Sequence, residues 1–220
     1  MEIFNLPPAT IVNRVIPKNA FDRYTTTRQK KLFTDLILRI TWIHKLSPET
    51  INLESKEIIE IQIFRIELKT KENITSLLEV IDKAVPYPII FIVEYNGNVY
   101  LSTSPKHPHP VNSDNCIIDW TFTTDWFTPA SNSYRLELQK NLDAIYQEFC
   151  VQLSGNLQFA KKSIQELIDH SRLIDSLRKE IARLKASIVN SQQFKQKVEL
   201  NLRLKAAEME LRSLLMDSAR

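Results

Sequence analysis

Hydrophobic and polar positions divide the chain into a mixed N-terminal part and a helical C-terminal part. In residues 28–42, apolar side chains recur every three or four positions, which predicts a helix that ends before Pro48. Residues 57–69 nearly alternate apolar and polar side chains, which predicts a strand. Because the apolar parity changes within this strand, we expect either a bulge near Phe64 or burial of both strand faces.

Helix and strand patterns continue to alternate as far as Gly155. The predicted elements are a helix capped by Asn73, strands at 89–95, 98–102 and 116–123, and a helix at 133–153. Asn96-Gly97 is the typical sequence of a two-residue hairpin turn, and Gly155 is a natural C-cap for the last helix. This order predicts an α/β (α+β) domain at residues 1–155 with one central mixed sheet.

From residue 157 onward, apolar residues repeat every three and four positions without glycine or proline. This heptad spacing is typical of helices that pack along an apolar seam. The heptad register shifts by two residues midway, which a continuous supercoil does not absorb. We therefore predict that residues 157–220 form an antiparallel helical hairpin, a coiled coil of helices at 158–189 and 193–216. The seam and docking residues are Ile174, Leu177, Ile181, Leu184, Ile188, Phe194, Leu200, Leu204 and Leu211.

The predicted turn between these helices lies at Asn190-Ser191. Asparagine tolerates the left-handed conformation that ends a helix, and Asn190 with Gln193 resembles a capping box for the next helix. Phe194 would then pack beneath the turn. A single continuous helix would instead place three cations in the seam: Lys195, Lys205 and Arg212.

The glycine content narrows the possible functions. The 220 residues include two glycines, Gly97 and Gly155. Loops that bind phosphates need several glycines at fixed spacing, because the backbone must approach the phosphates without a Cβ in the way. A Walker loop, a dinucleotide fingerprint, a kinase loop and a G-x-S-x-G nucleophile elbow are therefore absent. We expect no cofactor and no metal site.

The sequence also bears on location. Cys116 and Cys150 are too few for a disulfide framework. No apolar run approaches the ~20 residues that a membrane span needs, and the first residues do not resemble a signal peptide. We expect a cytoplasmic protein that does not enter the membrane.

Positive charge is concentrated in the C-terminal part. Residues 157–220 hold 13 Lys and Arg against 8 Asp and Glu, a net charge of +5, whereas residues 1–156 hold 16 against 18, a net charge of −2. A basic hairpin suits an acidic protein surface first and nucleic acid second, although flank charge of a self-associating coiled coil gives the same pattern. The candidate nucleic-acid contacts are Lys185, Lys195, Lys197, Arg203 and Lys205.

One short motif permits an enzymatic alternative. Glu67-Leu68-Lys69 places a carboxylate and an ammonium on the same face of a strand, as in nucleases that bind Mg²⁺ and position a water. An earlier acid such as Glu60 would complete that site. A charged strand end facing solvent gives the same motif.

Five stretches carry a family resemblance, and LSPETINL at 46–53 and PYPIIFIVEYNG at 86–97 are the distinctive pieces within them. On these residues the chain resembles the bacterial domain of unknown function four-three-nine-one over nearly its full length. The resemblance implies a place beside DNA methyltransferases and superfamily-two helicases, in restriction-modification-like and phage-defence loci. It carries over no catalytic residue. The five stretches are 4–18, 31–53, 60–69, 81–97 and 193–201.

Together these patterns predict a non-catalytic accessory or assembly subunit of a bacterial DNA-modification or phage-defence complex. We expect the helical hairpin to dock onto a helicase or a DNA methyltransferase of the same locus, with DNA contact as an additional role. The alternatives are a Mg-dependent nuclease that uses Glu60, Glu67 and Lys69, and a stand-alone nucleic-acid-binding protein.

Overall fold

The chain divides into two compact units, Met1–Ser154 and Gly155–Arg220. The computed structural model describes residues 3–111 and 115–217, so the predicted domain limits at residues 1 and 220 lie outside the described ranges. The first unit is a mixed α+β fold, and the second is helical. In the described ranges, no helix combines the length and the apolar content needed to cross a membrane.

The first unit is built around one sheet. The strands of the first unit in chain order are β1 (Ile11–Val15), β2 (Ile37–Leu46), β3 (Ile61–Leu68), β4 (Ile89–Tyr95), β5 (Asn98–Thr103), β6 (Lys106–Pro108), β7 (Cys116–Ile118) and β8 (Phe122–Thr123). Its α-helices are α1 (Thr27–Leu36), α2 (Pro48–Ile51), α3 (Thr75–Ala84) and α4 (Leu142–Ser154). Short 3₁₀ helices occupy Pro8–Thr10, Lys18–Tyr24 and Pro129–Ser131.

The predicted mixed sheet is confirmed. Six strands lie in the order β1-β2-β3-β4-β5-β8, and β6 pairs with β7 apart from them. Strands β3 and β4 are parallel and are connected through α3, while the other neighbouring strands described in the sheet pair antiparallel. A parallel pair needs such a crossover, because its strands run in the same direction.

Strand β3 lies inside the sheet and is covered on both faces. Residues 61–64 are all buried, which confirms the alternative of two buried strand faces. A register shift also occurs in β2 between Trp42 and His44, which pair with Phe64 and Ile63. The irregularity near Phe64 therefore belongs to the neighbouring strand.

The turn between β4 and β5 has the predicted conformation. Asn96 and Gly97 both have positive φ angles, 46° and 75°. A two-residue hairpin turn of this kind needs positive φ at both positions, which asparagine and glycine tolerate best. The turn fixes the pairing of Tyr95 with Asn98 at the start of the hairpin.

The helix predicted at 28–42 is wrong in its second half. Helix α1 begins with a capping box formed by Thr26 and Gln29 and ends at Leu36, and strand β2 follows without a loop. Residues 37–43 are rich in β-branched and aromatic side chains, which favour a strand. Strand β2 also pairs with both β1 and β3, which satisfies its backbone on both edges.

Two later predictions also need correction. The strand predicted at 116–123 is divided into β7 and β8, which belong to different sheets. The helix predicted at 133–153 begins only at Leu142, because Lys140 has a positive φ of 61° and the side chain of Asn141 accepts a hydrogen bond from the Ala144 amide. Gly155, with φ 70°, follows the last residue of α4 as predicted.

A buried ion pair connects α3 to β6. The Lys106 ammonium donates hydrogen bonds to the Asp82 carboxylate at 2.9 Å and to the Asp82 carbonyl at 2.6 Å. The two side chains are 1% and 2% exposed. Burial raises the pKa of Asp82, and the Lys106 charge and the Ser104 hydroxyl oppose that rise.

A second polar connection fixes the segment before β3. The Asp143 carboxylate at the beginning of α4 accepts hydrogen bonds from the amides of Lys56, Glu57 and Ile58, at 2.8, 3.0 and 3.1 Å. Burial alone would raise the pKa of Asp143, but these amides outweigh it, and the pKa lies below its usual value.

We predict that Lys106→Met lowers the free energy of unfolding of the first unit by about 3–5 kcal/mol, because it leaves a buried carboxylate without its counter-ion. Lys106→Met combined with Asp82→Leu should recover most of that loss, since no buried charge then remains. Urea denaturation of the three proteins measures both effects. A double variant that is less stable than Lys106→Met would contradict the prediction.

We predict that Asp143→Asn lowers the free energy of unfolding by about 1–3 kcal/mol at neutral pH, because three charge-assisted hydrogen bonds are weakened. The folded pKa of Asp143 is lowered, so its contribution is present above the ordinary value of 3.8 and is lost as the pH falls through the folded pKa. Denaturation curves of both proteins across the acid range should converge. A constant difference over that range would show that the carboxylate charge is not the cause.

Candidate functional site

The second unit is a pair of packed helices. A 3₁₀ helix (Leu157–Lys161) precedes α5 (Ile164–Asn190) and α6 (Phe194–Asp217), and residues 191–193 join the two helices. Helix α5 begins with a capping box of Ser163 and Glu166. The short link turns the chain back, so the predicted antiparallel helical pair is confirmed; its coiled-coil character stays a prediction.

An apolar seam holds α5 and α6 together. Leu177, Ile181 and Ala207 form a buried cluster, and Leu204, Leu211 and Leu214 pack against it. Of the other predicted seam residues, Ile174 and Leu184 are buried, whereas Ile188 and Leu200 are half-buried. Ion pairs Lys185–Glu208 at 2.9 Å and Glu180–Arg203 at 3.7 Å connect the two helices beside the seam.

The turn between the helices differs from the prediction. Asn190 is the last residue of α5 and does not adopt the left-handed conformation, and Ser191 is extended, with φ −73° and ψ 135°. The Ser191 hydroxyl bonds to the Gln196 side chain at 2.9 Å, in place of the predicted capping box of Asn190 and Gln193. Phe194 does not pack beneath the turn, because its side chain is 82% exposed.

Helix α6 carries a second set of apolar residues, and these are exposed. They are Phe194, Val198, Leu202 and Met209, here called the exposed stripe, with exposed fractions of 82%, 45%, 65% and 58%. Successive helix residues are turned by about 100°, so these four lie within an arc of about 80°. The side chains that pack on α5 lie on the opposite side of α6.

Three cations share the sector of the exposed stripe. Lys195, Lys205 and Arg212, here called the stripe cations, lie within about 60° of its centre. They form no ion pair with any side chain that the structure describes. The acids of α6 whose side chains are described lie at least about 80° from the centre: Glu199, Glu208 and Glu210.

The exposed stripe was not predicted from the sequence, although its helical spacing is visible there. Residues 194, 198, 202 and 209 have helical spacing, but the seam residues of the same helix have it too. One indication of this face was present in the sequence: if the first heptad register continued through a single long helix, the stripe cations would lie in the apolar seam. Lys185 and Arg203, two of the five cations proposed to contact nucleic acid, pair instead with acids of the neighbouring helix.

The structure does not assemble Glu60, Glu67 and Lys69 into one site. The Glu60 carboxylate pairs with Lys45 at 3.2 Å, and Glu67 pairs with Arg39 at 2.9 Å. The Lys69 ammonium donates to the Thr34 carbonyl at 2.7 Å. Within residues 3–111 and 115–217, no group of three His, Cys, Asp or Glu side chains is placed to hold a metal ion.

The described residues of the first unit line two open grooves, among others. The larger, of about 840 Å³, lies between the segment around Tyr24, helix α3 and strand β7, and Cys116 lines it. Burial raises the pKa of the Cys116 thiol, which disfavours the reactive thiolate. The smaller groove, of about 380 Å³, is lined by Lys71, Tyr100 and Trp126.

These features define a mixed α+β domain followed by a helical pair with one exposed apolar face. The chain belongs to the family described as Domain of unknown function (DUF4391), whose model matches residues 4–211. The match includes the sheet, most of the seam and the whole exposed stripe, and it confirms the family resemblance found in the sequence. Among curated proteins and among solved structures, none matches the chain.

We predict that two leucines of the second unit respond differently to truncation. Leu184→Ala removes a side chain that is 2% exposed and should lower the free energy of unfolding of the helical pair by about 2–4 kcal/mol. Leu202→Ala removes one that is 65% exposed and should change it by less than about 0.5 kcal/mol. Chemical denaturation followed by helical circular dichroism compares them, and equal losses would show that Leu202 is covered.

Proposed function

We propose that the protein is a non-catalytic assembly subunit that docks onto a larger partner protein through the exposed stripe of α6. The partner is a helicase or a DNA methyltransferase of the same locus, in a bacterial DNA-modification or phage-defence complex. The exposed stripe is the observation that carries the docking role. The kind of partner rests on the family resemblance.

An apolar face of this size on a helix needs a partner. Monomeric proteins expose apolar residues singly, whereas contiguous apolar patches mark interaction surfaces. The exposed stripe extends from Phe194 to Met209, about 22 Å along the helix axis. Its central Leu202 and its aromatic end at Phe194 supply the kind of anchors that contribute most to protein interfaces.

The remaining chemistry of the chain supports a subunit without its own reaction. The two glycines, Gly97 and Gly155, serve a hairpin turn and a helix end, and neither belongs to a phosphate-binding loop. The larger partner would therefore supply ATP hydrolysis or methyl transfer. The stripe cations can also contact phosphates, but apolar side chains lie between them, so a protein surface suits the whole stripe better than DNA does.

We predict that Leu202→Asp combined with Met209→Asp reduces recovery of the partner at least about tenfold, because two charges would be buried at the interface. The full-length chain, carrying an affinity tag, is co-expressed with the helicase and the methyltransferase of its own locus. Quantitative mass spectrometry then measures how much of each enzyme is recovered. The expected wild-type result is one of these enzymes at near-equal stoichiometry.

Leu157→Asp is the matched control, since Leu157 is 68% exposed in the same unit but lies outside α6. It should leave recovery unchanged. Equal recovery by the wild type and the double variant would place the interface elsewhere. A tagged wild-type chain that brings down neither enzyme would overturn the proposed function.

A further inference from the structure

We propose that the exposed stripe receives an acidic amphipathic α-helix of the partner, which lies along α6 as the third helix of a bundle. This inference rests on the proposed function and specifies the docking element that the partner must provide. The observations that carry it are the shape of the stripe and the distribution of charge around it.

The shape of the stripe fits a helix. The apolar residues run along one straight helix within an arc of about 80°, which is the width of the apolar face of an amphipathic helix. Including Arg212, the face is about 27 Å long, which corresponds to about 18 residues of a partner helix. A third helix would cover α6 on the side opposite α5. Both apolar faces of α6 would then be buried.

The charge around the stripe specifies an acidic partner. Lys195, Lys205 and Arg212 lie among the apolar residues, and the three add +3 to a face on which none of the described acids of α6 lies. Their aliphatic stems can cover apolar surface while their charged ends reach carboxylates at the edge of the interface. A partner without acids would bring these cations into a partly dehydrated interface without compensation.

The spacing of the stripe cations sets the spacing of the partner's acids. The intervals of ten and seven residues correspond to about 15 Å and about 10.5 Å along the axis. A helix that lies nearly parallel or antiparallel to α6 has the same rise per residue. Its acids should therefore recur at about the same intervals of ten and seven residues, in either order.

Two other occupants fit less well. A second copy of this chain would place Lys195, Lys205 and Arg212 against the same cations of its partner, and like charges in an interface are unfavourable. Duplex DNA would satisfy the cations, but it offers no apolar surface to Phe194 and Leu202. Self-association and DNA binding are therefore outcomes of the test that would overturn the proposal.

The test uses two synthetic helical peptides of about 24 residues, a length that spans the stripe. Both carry leucines along one face; one has glutamates at intervals of ten and seven residues beside that face, and the other has lysines at the same positions. Fluorescence anisotropy measures the binding of each peptide to the full-length chain at low and at high salt. We expect the acidic peptide to bind at least about tenfold more tightly at low salt and to lose most of that advantage at high salt.

Substitutions assign this preference to the stripe. Lys195→Glu, Lys205→Glu and Arg212→Glu together should reverse the peptide preference. Lys161→Glu, Arg178→Glu and Arg183→Glu together change the net charge equally at exposed positions of the same unit and should leave the preference intact. Leu202→Asp should weaken binding of the acidic peptide at least about tenfold. Circular dichroism confirms that each variant is as helical as the wild type.

Several results would overturn the inference. These are equal affinity for the two peptides, no binding of the acidic peptide, a dimer in sedimentation that Leu202→Asp dissociates, or a DNA duplex that binds more tightly than the acidic peptide and competes with it. The proposed function fails separately, when co-expression recovers no enzyme while the acidic peptide still binds. Conversely, recovery of an enzyme that depends on Leu202 but not on the stripe cations would leave docking intact and exclude an acidic helix.

Discussion

Two helices packed side by side can bury only one face of each helix against the other. In the C-terminal unit, the two faces that bury each other form the seam around Leu177, Ile181 and Ala207. Helix α6 nevertheless has apolar residues on its opposite side as well, and a pair of helices has no surface with which to cover them. The composition of α6 therefore suits a bundle of three helices, of which this chain supplies two.

In the first unit, a strand that is apolar on both faces is buried by other parts of the same unit. Strand β3 is apolar on both faces, and the crossover through α3 brings β4 beside it in parallel, so both strands lie inside the sheet. The sheet core is closed by side chains from α1 and α3, including Phe33 and Leu77. The core of this unit is buried by its own helices, whereas the apolar residues of the exposed stripe lie open to solvent.

The sequence could predict those elements whose pattern has one interpretation. Asn96-Gly97 between two apolar runs permits little besides a hairpin, and the two-residue register shift near residue 190 requires a break in the helix. The boundary at Leu36 was missed, because apolar residues spaced by four lie on one face of a helix and also on one face of a regular strand. Pairing with β1 and β3 makes residues 37–46 a strand. A local sequence pattern does not show partners that are distant in sequence.

The candidate site was only partly predictable for the same reason. The heptad identified residues that contact α5, but it could not say that a second set of apolar residues would remain uncovered. The E-x-K motif had correct strand spacing, yet Arg39 and Thr34 engage its two charged groups, and neither partner is near in sequence. Spacing describes which residues share a face, and only the fold shows what that face meets.

The hydrogen bonds between Asp143 and the amides of residues 56–58 have a consequence for folding during synthesis of the chain. They join positions 85 to 87 residues apart, and such distant contacts form slowly because a long loop must close first. The segment that leads into β3 leaves the ribosome long before Asp143 does. Most of the sheet can pair while translation continues. The segment that leads into β3 lacks its hydrogen bonds to Asp143 until α4 has been made.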